Sequence, residues 1–123
     1  MEQKLYDTVT DCPVIAAIKD DAGLERCLDS DIQIVFVLYG DIVSIPEIVD
    51  RIKKKGKLAM VHADLISGLA GKEIAIDFLK RNTQADGIIS TKLSFIKRAK
   101  ELGMATVFRF FVIDSMAFDN IQK

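Results

Sequence analysis

The sequence predicts an α/β fold, in which parallel β-strands alternate with amphipathic helices, and two features of the chain predict it. Five short runs of continuous apolar residues recur along 123 residues, and each is followed by a stretch whose apolar residues lie at helical spacing. Continuous apolar runs are typical of strands buried on both faces, and their alternation with helices favours parallel pairing through right-handed crossovers. Residues 1–123 are therefore expected to form a single domain, built either as an open doubly wound sheet or as the first five units of an eight-fold barrel.

Each element is bounded by residues that start or stop strands and helices. Predicted strands cover residues 14–18, 34–38, 58–61, 87–89 and 105–111, and predicted helices cover about 22–28, 44–55, 72–81, 93–102 and 116–121. Asp20 and Asp21 are good N-terminal caps for the first helix, and Ser90 or Thr91 for the fourth. Gly56 is expected to stop the second helix.

His62 and Asp64 follow the third apolar run, and their spacing predicts a shared site. Side chains two residues apart point the same way in an extended chain, so both lie on one face if the strand persists through Asp64. Ligand sites of α/β folds lie at the carboxyl ends of the strands. The structural alternative is that Asp64 caps the following helix, while His62 is a core histidine with its polar atoms satisfied.

Composition limits the kinds of protein that this sequence can encode. The formal net charge is −1, so no general affinity for nucleic acid is expected. No apolar run is long enough to span a bilayer, and residues 1–11 lack the apolar stretch of a signal peptide, which predicts a cytoplasmic location. Cys12 and Cys27 form no CxxC pair and are expected to be reduced. With one histidine in the chain, no metal site and no cofactor are predicted, a carboxylate-only magnesium site being the weaker alternative.

Four segments of the chain form a distinctive set. They are PVIAAIKD at 13–20, VHADLISGLAGKEIAIDFL at 61–79, DGIISTK at 86–92 and TVFRFFVIDSMA at 106–117. Together they resemble the glycerol uptake operon antiterminator regulatory family, over nearly all of the chain from Pro13 onward. The resemblance implies a (β/α)8 TIM-barrel-like fold of which about five βα units are present here. It also implies a transcription antitermination regulator that senses glycerol 3-phosphate and binds the leader mRNA of a glycerol-utilisation operon.

The resemblance further implies a ligand pocket at the strand ends. The candidate residues are Lys19, His62, Asp64, Ser90, Thr91, Lys92, Arg109 and Asp114. Lysine and arginine side chains there are suited to a phosphate, and carboxylates to the glycerol hydroxyls. The two lysines are equally compatible with ordinary solvated positions. Arg109 lies inside an apolar run, so its charge needs a partner. The candidates are Asp64, Asp114 and a ligand anion. A purely structural ion pair would be enough to explain the arginine.

The RNA contact that the family implies has only two basic runs to support it. These runs contain Lys53, Lys54, Lys97 and Arg98. Both fall near helix C-termini, where cations also complement the helix dipole. The RNA assignment therefore depends on the resemblance, and the basic runs are compatible with it.

One departure from the family pattern concerns length. Family members continue through three further βα units that carry the glycine-rich turns holding the phosphate, whereas this sequence stops within the fifth helix, so we expect a fragment or a truncated paralogue. Exposed sheet edges then predict self-association as a homo-oligomer. The alternative function is a TIM-barrel metabolic enzyme, a lyase or isomerase, acting on a small phosphorylated substrate with His62 and Asp64 as acid and base.

Overall fold

Five short strands and four helices make up residues 14–109, the part of the chain that the computed structural model describes. The strands are β1 (Ile15–Ile18), β2 (Ile34–Val37), β3 (Leu58–His62), β4 (Gly87–Ser90) and β5 (Ala105–Phe108). The helices are α1 (Asp21–Leu28), α2 (Ile45–Lys54), α3 (Ile74–Asn82) and α4 (Leu93–Glu101). Cys12, Pro13, Asp114, the end of the predicted fifth strand and the predicted helix at 116–121 lie outside the described residues.

All five strands are parallel and lie in the order β1-β2-β3-β4-β5, so each strand pairs with the next one along the chain. The α/β prediction is therefore confirmed. A doubly wound sheet reverses its strand order at a switch point, whereas a barrel adds strands in one direction. The order here is the sequential one, and the sheet is open over residues 14–109. Because the strands are parallel, their carboxyl ends lie along one edge.

The two faces of the sheet pack against different groups. Alternate strand residues such as Val35 and Ile88 point to a face where they join the buried apolar residues of the helices. Those helix residues are Leu24 of α1, Ile45, Ile48, Val49 and Ile52 of α2, Ala75, Ile76 and Leu79 of α3, and Phe95, Ile96 and Ala99 of α4. Met60 and Ile89 belong to a second apolar cluster on the other face. His62 lies two residues after Met60 and pairs in register with Ile89, so it belongs to this second face.

A side-chain cap explains where α1 begins, but not where α4 begins. Asp20 accepts a hydrogen bond at 2.7 Å from a backbone N–H of α1, which confirms its predicted role as a cap. The predicted cap of α4 is wrong. Lys92 occupies the cap position without a side-chain hydrogen bond, and the Thr91 hydroxyl donates to Asp64 instead of to the helix. Thr91 is therefore hydrogen-bonded to the turn that follows β3, and it does not cap α4.

The third strand ends sooner than a continuous strand through Asp64 would require. β3 stops at His62, and a single 3-10 turn, Ala63–Leu65, carries Asp64 away from the strand. The expectation that the strand persists is therefore wrong, and so is the alternative that Asp64 caps the next helix. α3 begins only at Ile74 and has no side-chain cap.

Buried charged groups tie the opposite, amino-terminal edge of the sheet. Asp86, which is 2% exposed, precedes β4 and accepts hydrogen bonds from the Ala59 backbone at 2.8 Å and from Lys53 Nζ at 2.7 Å. Lys57 Nζ donates to two backbone carbonyls that precede β2. These contacts therefore stabilise the fold, because the ligand sites of such folds lie at the carboxyl ends of the strands.

The helices of the described region are short. The longest, α2, has 10 residues, and none between residues 14 and 109 combines the length and apolarity needed to cross a bilayer. Cys27 is buried within α1 as a free thiol, as predicted. Its sulfur packs within the apolar core as a small apolar group, and Cys12 lies outside the described residues.

Candidate functional site

A group of polar side chains lies where β3, β4 and β5 end. It consists of His62, Asp64, Ser90, Thr91 and Arg109, and we call it the rim cluster. His62 and Ser90 are the last residues of β3 and β4, and Arg109 follows β5 directly. The Arg109 backbone N–H donates to the Ser90 carbonyl at 2.7 Å, which extends the pairing of the two strands to the cluster itself. Parallel pairing in sequence order thus brings together residues that are far apart in the chain.

Asp64 is the hydrogen-bond acceptor that joins the ends of β3 and β4. Its Oδ1 accepts from Ser90 Oγ at 2.7 Å, and its Oδ2 accepts from the backbone N–H and the hydroxyl of Thr91 at 2.8 and 2.6 Å. Burial by itself would raise the pKa of Asp64, but these hydrogen bonds from Thr91 and Ser90 outweigh it and hold the pKa below its usual value. Asp64 is therefore an ionised carboxylate whose two oxygens are already engaged.

The loop from β4 into α4 is organised by the same contacts. Ser90, which is fully buried, donates to Asp64 and accepts from the Lys92 backbone N–H at 3.0 Å. Lys92 is exposed, and its Nζ lies 4.8 Å from the centroid of the Phe95 ring, a cation–π distance. The ammonium group also lies beside Gly71, 3.3 Å from the position that a Cβ would take there. Lys92 therefore spans the β3–α3 and β4–α4 loops.

His62 and Arg109 contact each other on the second face of the sheet. Nη1 of Arg109 lies 3.1 Å from Nε2 of His62. His62 is 2% exposed, whereas Arg109 is exposed. Burial, supported by the charge of Arg109 and opposed by that of Asp64, lowers the pKa of His62 below its ordinary value. The imidazole is therefore neutral near pH 7, and it accepts a hydrogen bond from the guanidinium.

Within residues 14–109, the partner of Arg109 is not Asp64, the one suggested carboxylate that the structure describes. Within residues 14–109 the guanidinium forms no ion pair with a carboxylate. Both oxygens of Asp64 accept from Ser90 and Thr91, and Asp114 lies outside the described residues. Among the described residues a neutral imidazole is the partner, while Asp114 and a ligand anion stay predicted partners. Register could have indicated it, since His62 pairs with Ile89, Ile89 pairs with Val107, and Arg109 lies two residues further on the same face.

The side chains of two predicted ligand residues make no hydrogen bond or ion pair with the rim cluster among the described residues. Lys19 is exposed at the end of β1, which is the outer strand at the other end of the strand order from β5. Neighbouring strands are about 4.8 Å apart, so four spacings separate it from Arg109 along the sheet. Lys92 is nearer, because it follows Thr91 directly, but its ammonium group turns toward Phe95 and Gly71.

The predicted RNA-contacting cations divide into two kinds. Lys53 and Arg98 are engaged in structural pairs, Lys53 with the buried Asp86 and Arg98 through two hydrogen bonds to Asp77. Lys54, by contrast, has a side chain that is 74% exposed in its pair with Asp50. Lys97 is also exposed. These two lysines lie on α2 and α4, and α3 comes between those helices in the order of crossovers.

Metal chemistry has no support in the described part of the chain. No group of three histidine, cysteine, aspartate or glutamate side chains there is arranged to hold a metal ion. The surface grooves near α3 also lie away from the rim cluster. One, of about 350 Å³, is lined by Ile74, Phe78 and other α3 residues, and another, of about 460 Å³, lies between α2 and the end of α3. The chemistry of the rim cluster, rather than the depth of a groove, identifies the candidate site.

Comparison with known proteins agrees with this architecture. A family model described as glycerol-3-phosphate responsive antiterminator matches residues 14–123. The uncharacterized protein YgcP of Escherichia coli K12 is 50% identical over 111 residues, which cover 90% of this chain and 58% of that protein. Its name assigns no activity, so the family model carries the functional information.

Two solved structures are also similar to the chain. The glycerol uptake operon antiterminator regulatory protein from Listeria monocytogenes has a TM-score of 0.79 and 34% identity, covering 86% of this chain and 57% of its own. The glycerol uptake operon antiterminator-related protein from Thermotoga maritima has a TM-score of 0.73 and 34% identity, covering 88% and 60%. The chain thus spans less than two thirds of the length of these relatives.

The resemblance that the four sequence segments suggested is confirmed by these matches. The family description is that of an antiterminator and names no enzymatic activity, so it gives no support to the alternative of a barrel lyase or isomerase using His62 and Asp64. Because the family model covers all of the described strands and helices, the chain belongs to the glycerol-3-phosphate responsive antiterminator family.

Proposed function

We propose that this chain binds glycerol 3-phosphate at the rim cluster and, in response, acts on the leader mRNA of a glycerol-utilisation operon. The observation that carries the proposal is the state of Arg109, an exposed guanidinium whose partner among residues 14–109 is a neutral imidazole. Arginine presents a planar fork of N–H donors that matches a phosphate. No carboxylate among residues 14–109 pairs with this positive charge at the strand ends, which makes it suited to an anionic ligand.

Within this site the residues have different roles. Arg109 contacts the phosphate, and Lys92 adds a second positive charge from the neighbouring loop once its side chain turns from Phe95 toward the ligand. Asp64 is engaged by Ser90 and Thr91, so it supports the site by fixing the β4–α4 loop and does not itself accept from the glycerol hydroxyls. Lys19 and Asp114 remain predicted contributors from the first and fifth units.

Calorimetric titration with glycerol 3-phosphate tests the metabolite part of the proposal. Arg109→Gln removes the charge while keeping a polar side chain, and Arg26→Gln removes an exposed charge from α1, away from the strand ends. We expect the unmodified chain and Arg26→Gln to bind equally and Arg109→Gln to lose binding by roughly tenfold or more, since hydrogen bonds to charged groups contribute about 1.5–3 kcal/mol. Equal binding by all three proteins would exclude Arg109 from the site.

For RNA, we propose a surface that runs from the middle to the C-terminal ends of α2, α3 and α4, toward the edge of the sheet opposite the rim cluster. Lys54 and Lys97 are the originally predicted residues that remain exposed, and Lys80 and Arg81 of α3 are exposed between them. Exposed cations on three successive helices are suited to the phosphates of a nucleic acid, and the binding they give weakens with salt. Lys53 and Arg98 support this surface through their ion pairs and do not contact RNA.

Filter binding of a glycerol-operon leader transcript tests the RNA surface. Lys54→Glu combined with Lys97→Glu is expected to reduce retention and to flatten its dependence on salt. The matched control, Glu47→Gln, changes an exposed residue of α2 at the other end of that helix. If the double variant and the control retain the transcript as well as the unmodified chain does, this surface is not the one that contacts RNA.

We also propose that residues 1–123 belong to one domain. The described sheet would be the first part of its TIM-barrel-like fold. The sequential strand order supports this, and so does the outer edge of β1, which pairs with no strand among residues 14–109 and could be closed by further strands or by a second copy of the chain. Sedimentation or size-exclusion measurements across a concentration series test the second possibility. A dimer or larger species is expected, and a monomer at all concentrations would count against self-association.

A further inference from the structure

The hydrogen-bond chemistry of the His62–Arg109 contact restricts the protonation state of the imidazole. Arginine is a donor only and stays protonated, so Nε2 of His62 must be the acceptor in the 3.1 Å contact. The imidazole is then neutral, with its proton on Nδ1. That Nδ1 is buried and has no hydrogen-bond partner in the described part of the chain. An imidazolium at this position would place a second proton on Nε2 and face Arg109 as a like charge.

The choice of a neutral acceptor has a consequence for Arg109. A carboxylate partner would neutralise the guanidinium and compete with any incoming anion, whereas an imidazole orients the side chain and leaves its charge in place. The carboxylate that the rim cluster does contain, Asp64, is held by Ser90 and Thr91. The arrangement therefore separates two tasks: Asp64 fixes the loop, and His62 positions the arginine.

We propose that His62 is a positioning residue that presents Arg109 to the ligand phosphate only while its imidazole is neutral, so that protonation of His62 releases Arg109 and weakens ligand binding. This role rests on the proposed binding of glycerol 3-phosphate at the rim cluster. It adds a pH dependence to that site, in which acidification lowers the response to the metabolite. The imidazole acts through Arg109 and needs no contact with the ligand.

The groups that face His62 from the elements around it agree with this direction. Arg109, after β5, opposes a charged imidazole, and Ile89 of β4, its partner in register, is apolar. Asp64, in the turn after β3, favours the charged form, but its carboxylate is committed to three donors of the β4–α4 loop. At 2% exposure the ring has little access to water that could solvate a charge.

The test compares glycerol 3-phosphate binding by the unmodified chain and by His62→Gln from pH 8 to pH 5. Glutamine offers its Oε1 as an acceptor for Arg109 and does not titrate. The ligand phosphate has a pKa of about 6 and titrates in this range, but it affects both proteins equally, so the ratio of their dissociation constants isolates His62. We expect a ratio near one at pH 8. Below the imidazole pKa the unmodified chain should weaken relative to the variant by up to about tenfold for each pH unit.

A second measurement needs no variant, because the chain contains one histidine and its NMR signals are unambiguous. Saturating glycerol 3-phosphate should lower the pKa of His62, since a ligand that binds better to the neutral form stabilises that form. A ligand that raises the pKa, or a ratio of dissociation constants that stays flat with pH while binding is observed at pH 8, would overturn this role for His62 alone. Absence of binding by the unmodified chain at every pH would overturn the proposed function and this role together.

Discussion

The guanidinium of Arg109 donates to the imidazole of His62 across 3.1 Å, although 47 positions separate the two residues in the chain. The contact exists because β3, β4 and β5 pair in sequence order and in register, which places both residues at the same edge and on the same face. The charged Arg109 is thereby held by the neutral imidazole of His62, while the nearby Asp64 carboxylate accepts hydrogen bonds from Ser90 and Thr91. This relationship predicts the chemistry of the site and its response to substitution.

The tautomer of His62 is the first prediction. Because Nε2 accepts from Arg109, we expect the proton of the neutral ring on Nδ1. Long-range ¹H–¹⁵N correlation spectra at pH 7.5 should show a protonated Nδ1 and an unprotonated Nε2. In Arg109→Ala the acceptor has lost its donor, and the Nε2–H form should become populated. A protonated Nε2 in the unmodified chain would show that the contact is not formed as described.

Replacement of Asp64 by alanine is predicted to destabilise the fold, because it leaves Ser90 Oγ and both Thr91 donors without their acceptor. The site is partly exposed, so we expect a loss of about 1 kcal/mol in the free energy of unfolding. The pKa of this carboxyl is lowered in the folded chain, so its contribution is present above the unfolded pKa of about 4 and is lost as pH falls through the folded value.

Chemical denaturation of Asp64→Ala and the unmodified chain at pH 7 and pH 3 measures this pH dependence. The difference in unfolding free energy should be full at pH 7 and smaller at pH 3. Glu73→Ala, an exposed residue just before α3, is the control and should match the unmodified chain at both values. A difference that grows on acidification would contradict the sign derived from the pKa of Asp64.

Lys53 and Lys54 are adjacent but are predicted to differ sharply in their effect on stability. Lys53→Met leaves the carboxylate of Asp86, which is 2% exposed, without its cation. A loss of roughly 3 kcal/mol in unfolding free energy is expected, as for other broken buried pairs. Lys54→Met breaks only an exposed pair and should cost no more than about 0.5 kcal/mol. Similar urea midpoints for the two variants would show that Asp86 does not depend on Lys53.

Gly87 is predicted to be intolerant of any side chain. A Cβ at this position would lie 2.2 Å from the carbonyl oxygen of Ala105, so β4 and β5 would have to separate. Overpacking in a well-packed core costs about 1–3 kcal/mol or more, and here backbone is the obstacle. Thermal unfolding of Gly87→Ala should show a clear drop in midpoint. Gly103→Ala, where nothing lies within 4 Å, carries only the strain of its positive φ.

Much of the fold follows from local patterns in the sequence. The apolar runs identify all of the described strands, and Asp20 marks the start of α1 as predicted. Short crossovers favour pairing between consecutive strands, and in a sequential sheet this pairing gives the observed strand order. The choice between a sequential and a doubly wound sheet must be made separately. Periodicity alone does not make that choice, because both architectures use the same alternation of strands and helices.

The details of the site were less predictable because they depend on where the chain turns. The sequence does not show that a 3-10 turn follows His62, and without that turn Asp64 would share the face of the imidazole. The turn instead directs the carboxylate to Ser90 and Thr91, which removes it as a partner for Arg109. Lys53 was likewise predicted as a surface cation because the buried acid that it pairs with lies 33 residues away.

The most direct test of the central claim is an NMR titration that follows the ring signals of His62, the single histidine, as glycerol 3-phosphate is added at pH 7.5. We predict saturable shifts of these signals with glycerol 3-phosphate, weaker shifts with inorganic phosphate and none with glycerol, because the phosphate is the group that Arg109 recognises. Signals that do not move at saturating glycerol 3-phosphate, or that move equally with glycerol, would contradict an anion site at the ends of β3 and β5.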